Sequence, residues 1–222
     1  EQMQEVRDCV SATGLRPIAW LAEHQKMDAR WQLVHATHTE QAEIDAVACS
    51  GAGIVICPST EGNLGDGFAD LPAWLSAGVP MAVGSDSHVS RQWAEELRWL
   101  EYGQRLRLQQ RNVTALPGHQ PSTAARLLDQ AISSGAAAAG LKQWGLQTGA
   151  RADMVVLDMN TPGLLGIPHT HTLDALVFAC NHAAIDEVYV AGKRRVSGGL
   201  HREQSMIAEN FKSTMLELLS YQ

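Results

Sequence analysis

The sequence predicts an α/β fold: β/α units around a parallel sheet, followed by a smaller β-rich tail. Two observations predict the first part. Short apolar segments alternate with helix-like ones up to about residue 107, and those segments lack the hydrophobic-in, polar-out alternation of a half-exposed sheet. A third observation predicts the tail: beyond Gly140 the chain changes to strand-like runs and a hairpin signal.

Residues 3–13 (MQEVRDCVSAT) read as a helix closed by Gly14, and 16–24 as a second with Pro17 in its first turn. WQLVHA (31–36) reads as a strand, TEQAEIDAVACSG (39–51) as a helix ending in glycine, and AGIVICP (52–58) as a short apolar strand. A Gly-rich loop follows. LPAWLSAG (71–78) is then a short helix, PMAVGSD (80–86) a strand, and residues 91–107 a long helix. Residues 108–121 read as a loop, and an Ala-rich helix runs to about residue 139, stopped by Gly140. In the tail, 152–158 and 186–196 read as strands, the latter a hairpin turning at Ala191-Gly192-Lys193, and 203–219 as an amphipathic terminal helix. No internal repeat is present.

Composition narrows the function. With 222 residues, 45% apolar and 18% charged, the chain is long enough to bury a core. A formal charge of −7 argues against a nucleic-acid partner, which would need a clustered basic face. Arg105, Arg107 and Arg111 lie beside Glu95, Glu96 and Glu101, the pattern of a solvated helix face. The cysteines Cys9, Cys49, Cys57 and Cys180 show no paired spacing, and the last three sit in apolar stretches, as buried reduced thiols do. Neither a membrane span nor a secretory signal is visible, so the cytoplasm is the expected compartment. The start at Glu1, without methionine or capping signal, has the look of a cut chain.

The segment MAVGSDSHVS (81–90) runs from an apolar strand straight into a carboxylate. In parallel β/α architectures the side chains at C-terminal strand ends project into the ligand site. Asp86 ends one such strand and His35 ends another. Alone, His35 fits a hydrogen-bonded rim histidine and Asp86 fits the N-cap of the next helix. Together, with NLGDG between them, they favour a site.

VHATH (34–38), STEGNLGDG (59–67), GSDSHVS (84–90), EELRWLEYGQR (95–105) and TGARADMVVLD (148–158) resemble the amidohydrolase superfamily, and within it the formimidoylglutamate deiminases. The resemblance covers nearly the whole chain and is firmest from about residue 31 to 107. It implies the C-terminal portion of a (β/α)8 barrel over 1–145, then part of a small β-sandwich with a terminal helix over 146–222. It further implies one divalent metal, usually zinc, with Asp86 as a ligand that also takes a proton from the attacking water. His35 matches a histidine that polarises or protonates the reacting group. The opening Glu-Gln resembles the end of a His-x-x-Glu-Gln segment, making Glu1 a residue that contacts substrate and shuttles protons. On this resemblance Glu1 and His35 also bind substrate, a small molecule, and a homodimer is common.

A barrel of this type needs about 250 residues, and only about 140 precede the tail here. The remaining metal ligands and the groups that grip substrate carboxylates are therefore expected upstream of residue 1. The fragment by itself is expected to be inactive. His169-Thr170-His171 has metal-pair spacing for a strand, but its family counterpart is not a ligand, and a surface or interface role is expected. His38 and His88 fit either an orienting role at the site or a cap on the next helix. Glu61, Asn63 and Asp66 are candidates for shaping the pocket, whereas Trp93 and Trp99 are expected to pack. The rival activities are an aminohydrolase acting on a nucleobase or nucleoside ring, and a non-catalytic interaction module.

Overall fold

The computed structural model describes residues 1–180 and 184–220. Among these, the first sheet has three short parallel strands, β1 (Gln32–Val34), β2 (Gly53–Ile56) and β3 (Met81–Val83), in that spatial order. Leu33 pairs with Ile54, and Val55 with Ala82. The central strand is the most deeply packed, with Ile54 and Ile56 both buried. Ile54 and Ile56, two residues apart, share one face of the strand and pack into the core with the surrounding helices.

Those helices are α1 (Met3–Thr13), α2 (Pro17–His24), α3 (Gln41–Ser50), α4 (Pro58–Leu64), α5 (Leu71–Ser76), α6 (Trp93–Leu108) and α7 (Thr123–Ala138). Their ends follow local chemistry. Pro17 and Pro58 occupy first-turn positions, where a missing N–H costs nothing. Asp70 and Ser122 accept the Ala73 and Ala125 N–H groups as N-caps. The core joins Ile44 and Val47 of α3 and Leu71 and Trp74 of α5 to Met81, Leu97, Leu100 and Leu127. Each such side chain contributes about 1.5–3 kcal/mol by leaving water.

Several expectations are corrected. The Gly-rich segment after residue 58 is helix α4, with Gly65 as its left-handed C-cap at φ 75°. Asp86 lies three residues past β3 rather than at its end. Glu96 and Glu101 are buried, so α6 is not simply a solvated face. Glu101 accepts from Arg105 Nε at 2.6 Å, Val113 N at 2.9 Å, Thr114 N at 3.0 Å and Thr114 Oγ1 at 2.6 Å, which fixes the turn after α6. Cys57 and Cys180 are buried, but Cys49 is exposed on α3. Trp93 and Trp99 are 38% and 41% exposed, whereas Trp74 is fully enclosed.

Two compact units divide the chain: Glu1–Lys142 with Pro168–Ala179, and Gln143–Ile167 with Cys180–Gln222. A single boundary at 145/146 therefore does not describe the chain, because a helix absent from the sequence expectations, α8 (Thr172–Phe178), folds with the first unit. Asp174 of α8 accepts the Ala124 N–H at the start of α7, at 3.0 Å. His169-Thr170-His171 forms an exposed 3-10 turn. Residues two apart share no face there, which removes the strand geometry that a metal pair would need.

The second unit holds one antiparallel sheet, β4 (Met154–Leu157), β5 (Ile185–Val190), β6 (Lys193–Ser197) and β7 (Leu200–His201), and the terminal helix α9 (Gln204–Leu219). The second layer of a sandwich is not among the described residues. The hairpin turns where the sequence places it: Ala191 and Gly192 have φ 50° and 74°, the two positive values of a type I′ turn. No helix among the described residues is long and apolar enough to cross a membrane.

Candidate active site

At the C-terminal edge of the first sheet the backbone departs from ordinary conformations. His35, Ala36, Asp86 and His88 have φ of 70°, 49°, 46° and 59°. Non-glycine residues in this region cost energy and persist only where their surroundings hold them. The His35 N–H continues the strand ladder to Val55 O at 2.7 Å, which anchors the imidazole at the sheet edge. Gly84, two residues before Asp86, sits where a Cβ would come within 3.1 Å of Cys57 Sγ. Only glycine allows that approach without a shift.

Ligand atoms of Glu1, His35 and Asp86 lie within 4.8 Å of one another. The sequence candidates from the chain start, the end of β1 and the loop after β3 thus converge on one point. Asp86 is exposed, and Glu1 and His35 are partly buried. His35 Nε2 stands 3.7 Å from Glu1 Oε2, and His35 Nδ1 stands 3.4 Å from Glu61 Oε1. Burial lifts the Glu1 carboxyl above the usual carboxylate range; nearby His35 opposes the shift and the Asp66 carboxylate adds to it. Glu1 Oε1 and Asp66 Oδ2 are buried without a hydrogen-bond partner.

Helix α4 carries what the sequence left unread. Thr60, almost completely buried, donates its hydroxyl to Ser85 O at 3.1 Å, accepts the Ser87 N–H at 3.2 Å and lies 2.9 Å from Ser87 Oγ. It therefore grips the loop on both sides of Asp86. Glu61, 3% exposed, accepts the Cys57 N–H at 3.0 Å. Burial raises its carboxyl, while the Cys57 amide and His35 oppose the shift. The helix is itself tied to α6, because Glu96 accepts Ser59 N at 2.9 Å and Ser59 Oγ at 2.6 Å. Cys57 is no nucleophile: burial first, then the carboxylates of Glu61, Asp86 and Glu96, push its thiol up to about 12.

Of the remaining candidates, Asn63 is exposed, and Asp66 donates its N–H to Glu61 O at 2.9 Å. Neither His38 nor His88 caps the helix after it, since those N-caps are Glu40 and Gln92. The His38 carbonyl accepts Arg16 Nη2 at 2.7 Å, and Arg16 Nε also pairs with buried Glu43 at 2.8 Å. That places His38 on a braced loop after β1. The pattern that pointed to α4 was available in Pro58 following an apolar run, but three glycines within six residues masked it.

One imidazole nitrogen and two carboxylates that converge suit zinc and related first-row divalent ions. Glu1, His35 and Asp86 are the residues able to offer atoms to such an ion here. Three donors fall short of a closed tetrahedral site. With or without an ion, the cluster can take a proton from water at one carboxylate and pass protons between an imidazole and a second carboxylate.

Comparison with known proteins gives a consistent picture. A formimidoylglutamate deiminase from Pseudomonas aeruginosa is 44% identical over 219 residues, covering 99% of this chain and 48% of that protein. A solved amidohydrolase from Brucella melitensis superposes with a TM-score of 0.92 at 41% identity, again over 99% of this chain and 48% of its own. An adenosine deaminase from Xanthomonas campestris, solved with bound zinc, gives 0.85 at 26% identity, with 99% and 49% covered. The chain therefore spans about half the length of the relatives it matches. The family model described as amidohydrolase family matches residues 1–195, and this chain belongs to that family.

Proposed function

We propose that these residues form the C-terminal part of a metal-dependent enzyme that hydrolyses N-formimino-L-glutamate to N-formyl-L-glutamate and ammonia. The observation that carries the reading is the convergence of Glu1, His35 and Asp86 within 4.8 Å, in a chain 44% identical to a formimidoylglutamate deiminase. The three parallel strands are then an arc of a (β/α)8 barrel, and the antiparallel sheet is one layer of a sandwich. On this reading the rest of the barrel lies in the half of such a protein outside these residues. It supplies the other metal ligands and the groups that hold the substrate's two carboxylates.

Asp86 and those further ligands would hold a divalent ion, zinc by preference, which would supply Lewis-acid activation of water near neutral pH. Asp86 accepts a proton from that water. The oxygen attacks the formimino carbon, an amidinium centre that is already electrophilic. Glu1, its carboxyl raised by burial, contacts the formimino nitrogen and carries protons. His35 Nε2 takes up a proton as the tetrahedral species forms and returns it to the departing nitrogen, which leaves as ammonia. The balance is one water in and one ammonia out.

A second reading, deamination of an adenosine-like ring, is favoured by the likeness to the Xanthomonas campestris adenosine deaminase. Ammonia release from N-formimino-L-glutamate and from adenosine, measured on the full-length protein before and after chelation, separates the two. Zinc-dependent release from the formimino substrate alone is the expected result. Release from adenosine alone would leave the family intact and replace the substrate.

A further inference from the structure

We infer that Glu61 is the positioning residue of His35: it fixes which ring nitrogen carries the proton and so presents Nε2 to the reacting centre. The inference rests on the deiminase reading of the site for its catalytic consequence, though not for its geometry.

The ring of His35 is held between two carboxylates. Nδ1 faces Glu61 Oε1 at 3.4 Å, at the long end for a hydrogen bond, and Nε2 faces Glu1 Oε2 at 3.7 Å. A neutral imidazole donates from one nitrogen and accepts at the other. Glu61 Oε1 also accepts the Cys57 N–H at 3.0 Å, so this oxygen already presents its lone pairs as an acceptor. Nδ1 is therefore the nitrogen that bears hydrogen, and Nε2 keeps a free lone pair on the side of the ring that faces Glu1. This is the tautomer that a proton shuttle at Nε2 requires.

The placement of Glu61 suits the task. Its carboxylate is enclosed, and the helix that carries it begins at Pro58 and is tied to α6 through Ser59 and Glu96. Its neighbour Thr60 braces the Asp86 loop from the same turn of helix. Adjacent side chains on one short helix thus set the two residues delivered by β1 and β3.

The test uses the full-length protein with 15N-labelled histidine, His35 being assigned by its loss in His35→Asn. The neutral wild-type ring should show a protonated Nδ1 and a bare Nε2. Glu61→Leu should shift the ring to mainly Nε2–H and lower kcat about 100-fold or more, with KM within about threefold, since a wrong tautomer removes the shuttle. Glu61→Gln retains an acceptor oxygen and should restore the Nδ1–H ring and at least about a tenth of kcat. Should Glu61→Leu not fold, the wild-type ring and Glu61→Gln still decide. A bare Nδ1 in the wild type, or an unchanged ring and kcat in Glu61→Leu, overturns the inference. A wild type with the Nδ1–H ring that releases no ammonia refutes the deiminase reading while supporting the Glu61 assignment.

Discussion

The two compact units use their side chains in opposite ways. The first buries polar groups: Thr37, Glu43, Ser59, Thr60, Glu61, Glu96 and Glu101 are all enclosed. The second exposes apolar ones: Val155 and Val156 on β4, and Met206, Ile207, Phe211, Leu216, Leu218 and Leu219 on α9, a helix with no buried residue. Burying a carboxylate is costly unless its oxygens are matched by donors. Glu61 and Glu96 take theirs from Cys57 and Ser59 beside the site, and Glu101 from the turn after α6. The contrast teaches that enclosed polar groups in the first unit fix loops and helix ends, those of α4 at the candidate site among them, whereas α9 of the second unit keeps its apolar side chains exposed among the described residues.

The sharpest way to break the comparison is to damage each unit with one substitution. Trp74→Ala empties the largest enclosed side chain of the first unit and should lower unfolding stability by about 3–5 kcal/mol. Phe211→Ser removes an exposed ring and should change the stability of the 222-residue chain by less than about 0.5 kcal/mol. Urea unfolding of both variants checks the pair, and similar losses would contradict the contrast.

A smaller effect sharpens it. Because burial raises the Glu61 carboxyl above its ordinary 4.5, the folded state holds that proton more tightly than the unfolded chain does. Stability contributed by this group is therefore present in full below about pH 4.5 and declines as pH rises through the folded-state value. Glu61→Gln carries no such charge. Its melting temperature relative to wild type should rise by about a degree or two between pH 4 and pH 7, read by a pH series of thermal melts. A difference that shrinks instead would mean that the Cys57 and His35 contacts outweigh the burial of the charge.

Much of this was legible in the sequence. The apolar runs around Leu33, Ile54 and Met81 specified three parallel strands, and Gly14 and Gly51 marked helix ends, because short-range pattern and capping are written locally. His35, Asp86 and Glu1 were legible through motif resemblance, and the fold brings all three together. Thr60 was not, and Glu61 was legible only as a pocket candidate without its partner, since Ser85 and His35 lie 25 and 26 residues away and only packing pairs them. Helix α4 was hidden by its glycines. Helix α8 was hidden by the preceding Pro-Gly-rich stretch and the His-x-His decoy, although Leu176 and Val177 bury its inner face. Asp86 was read onto a strand because the apolar run leads into it, while the real strand ends at Val83.

The central claim is that Glu1, His35 and Asp86 act as one reacting centre. Steady-state hydrolysis of N-formimino-L-glutamate by full-length Asp86→Asn, His35→Asn and the double variant tests it most directly. Groups that act as a unit are strongly non-additive. Each single substitution should lower kcat/KM by about 10³-fold or more, and the double variant should fall within about tenfold of the weaker single. A double variant whose loss equals the product of the two single losses would show independent residues and contradict the account.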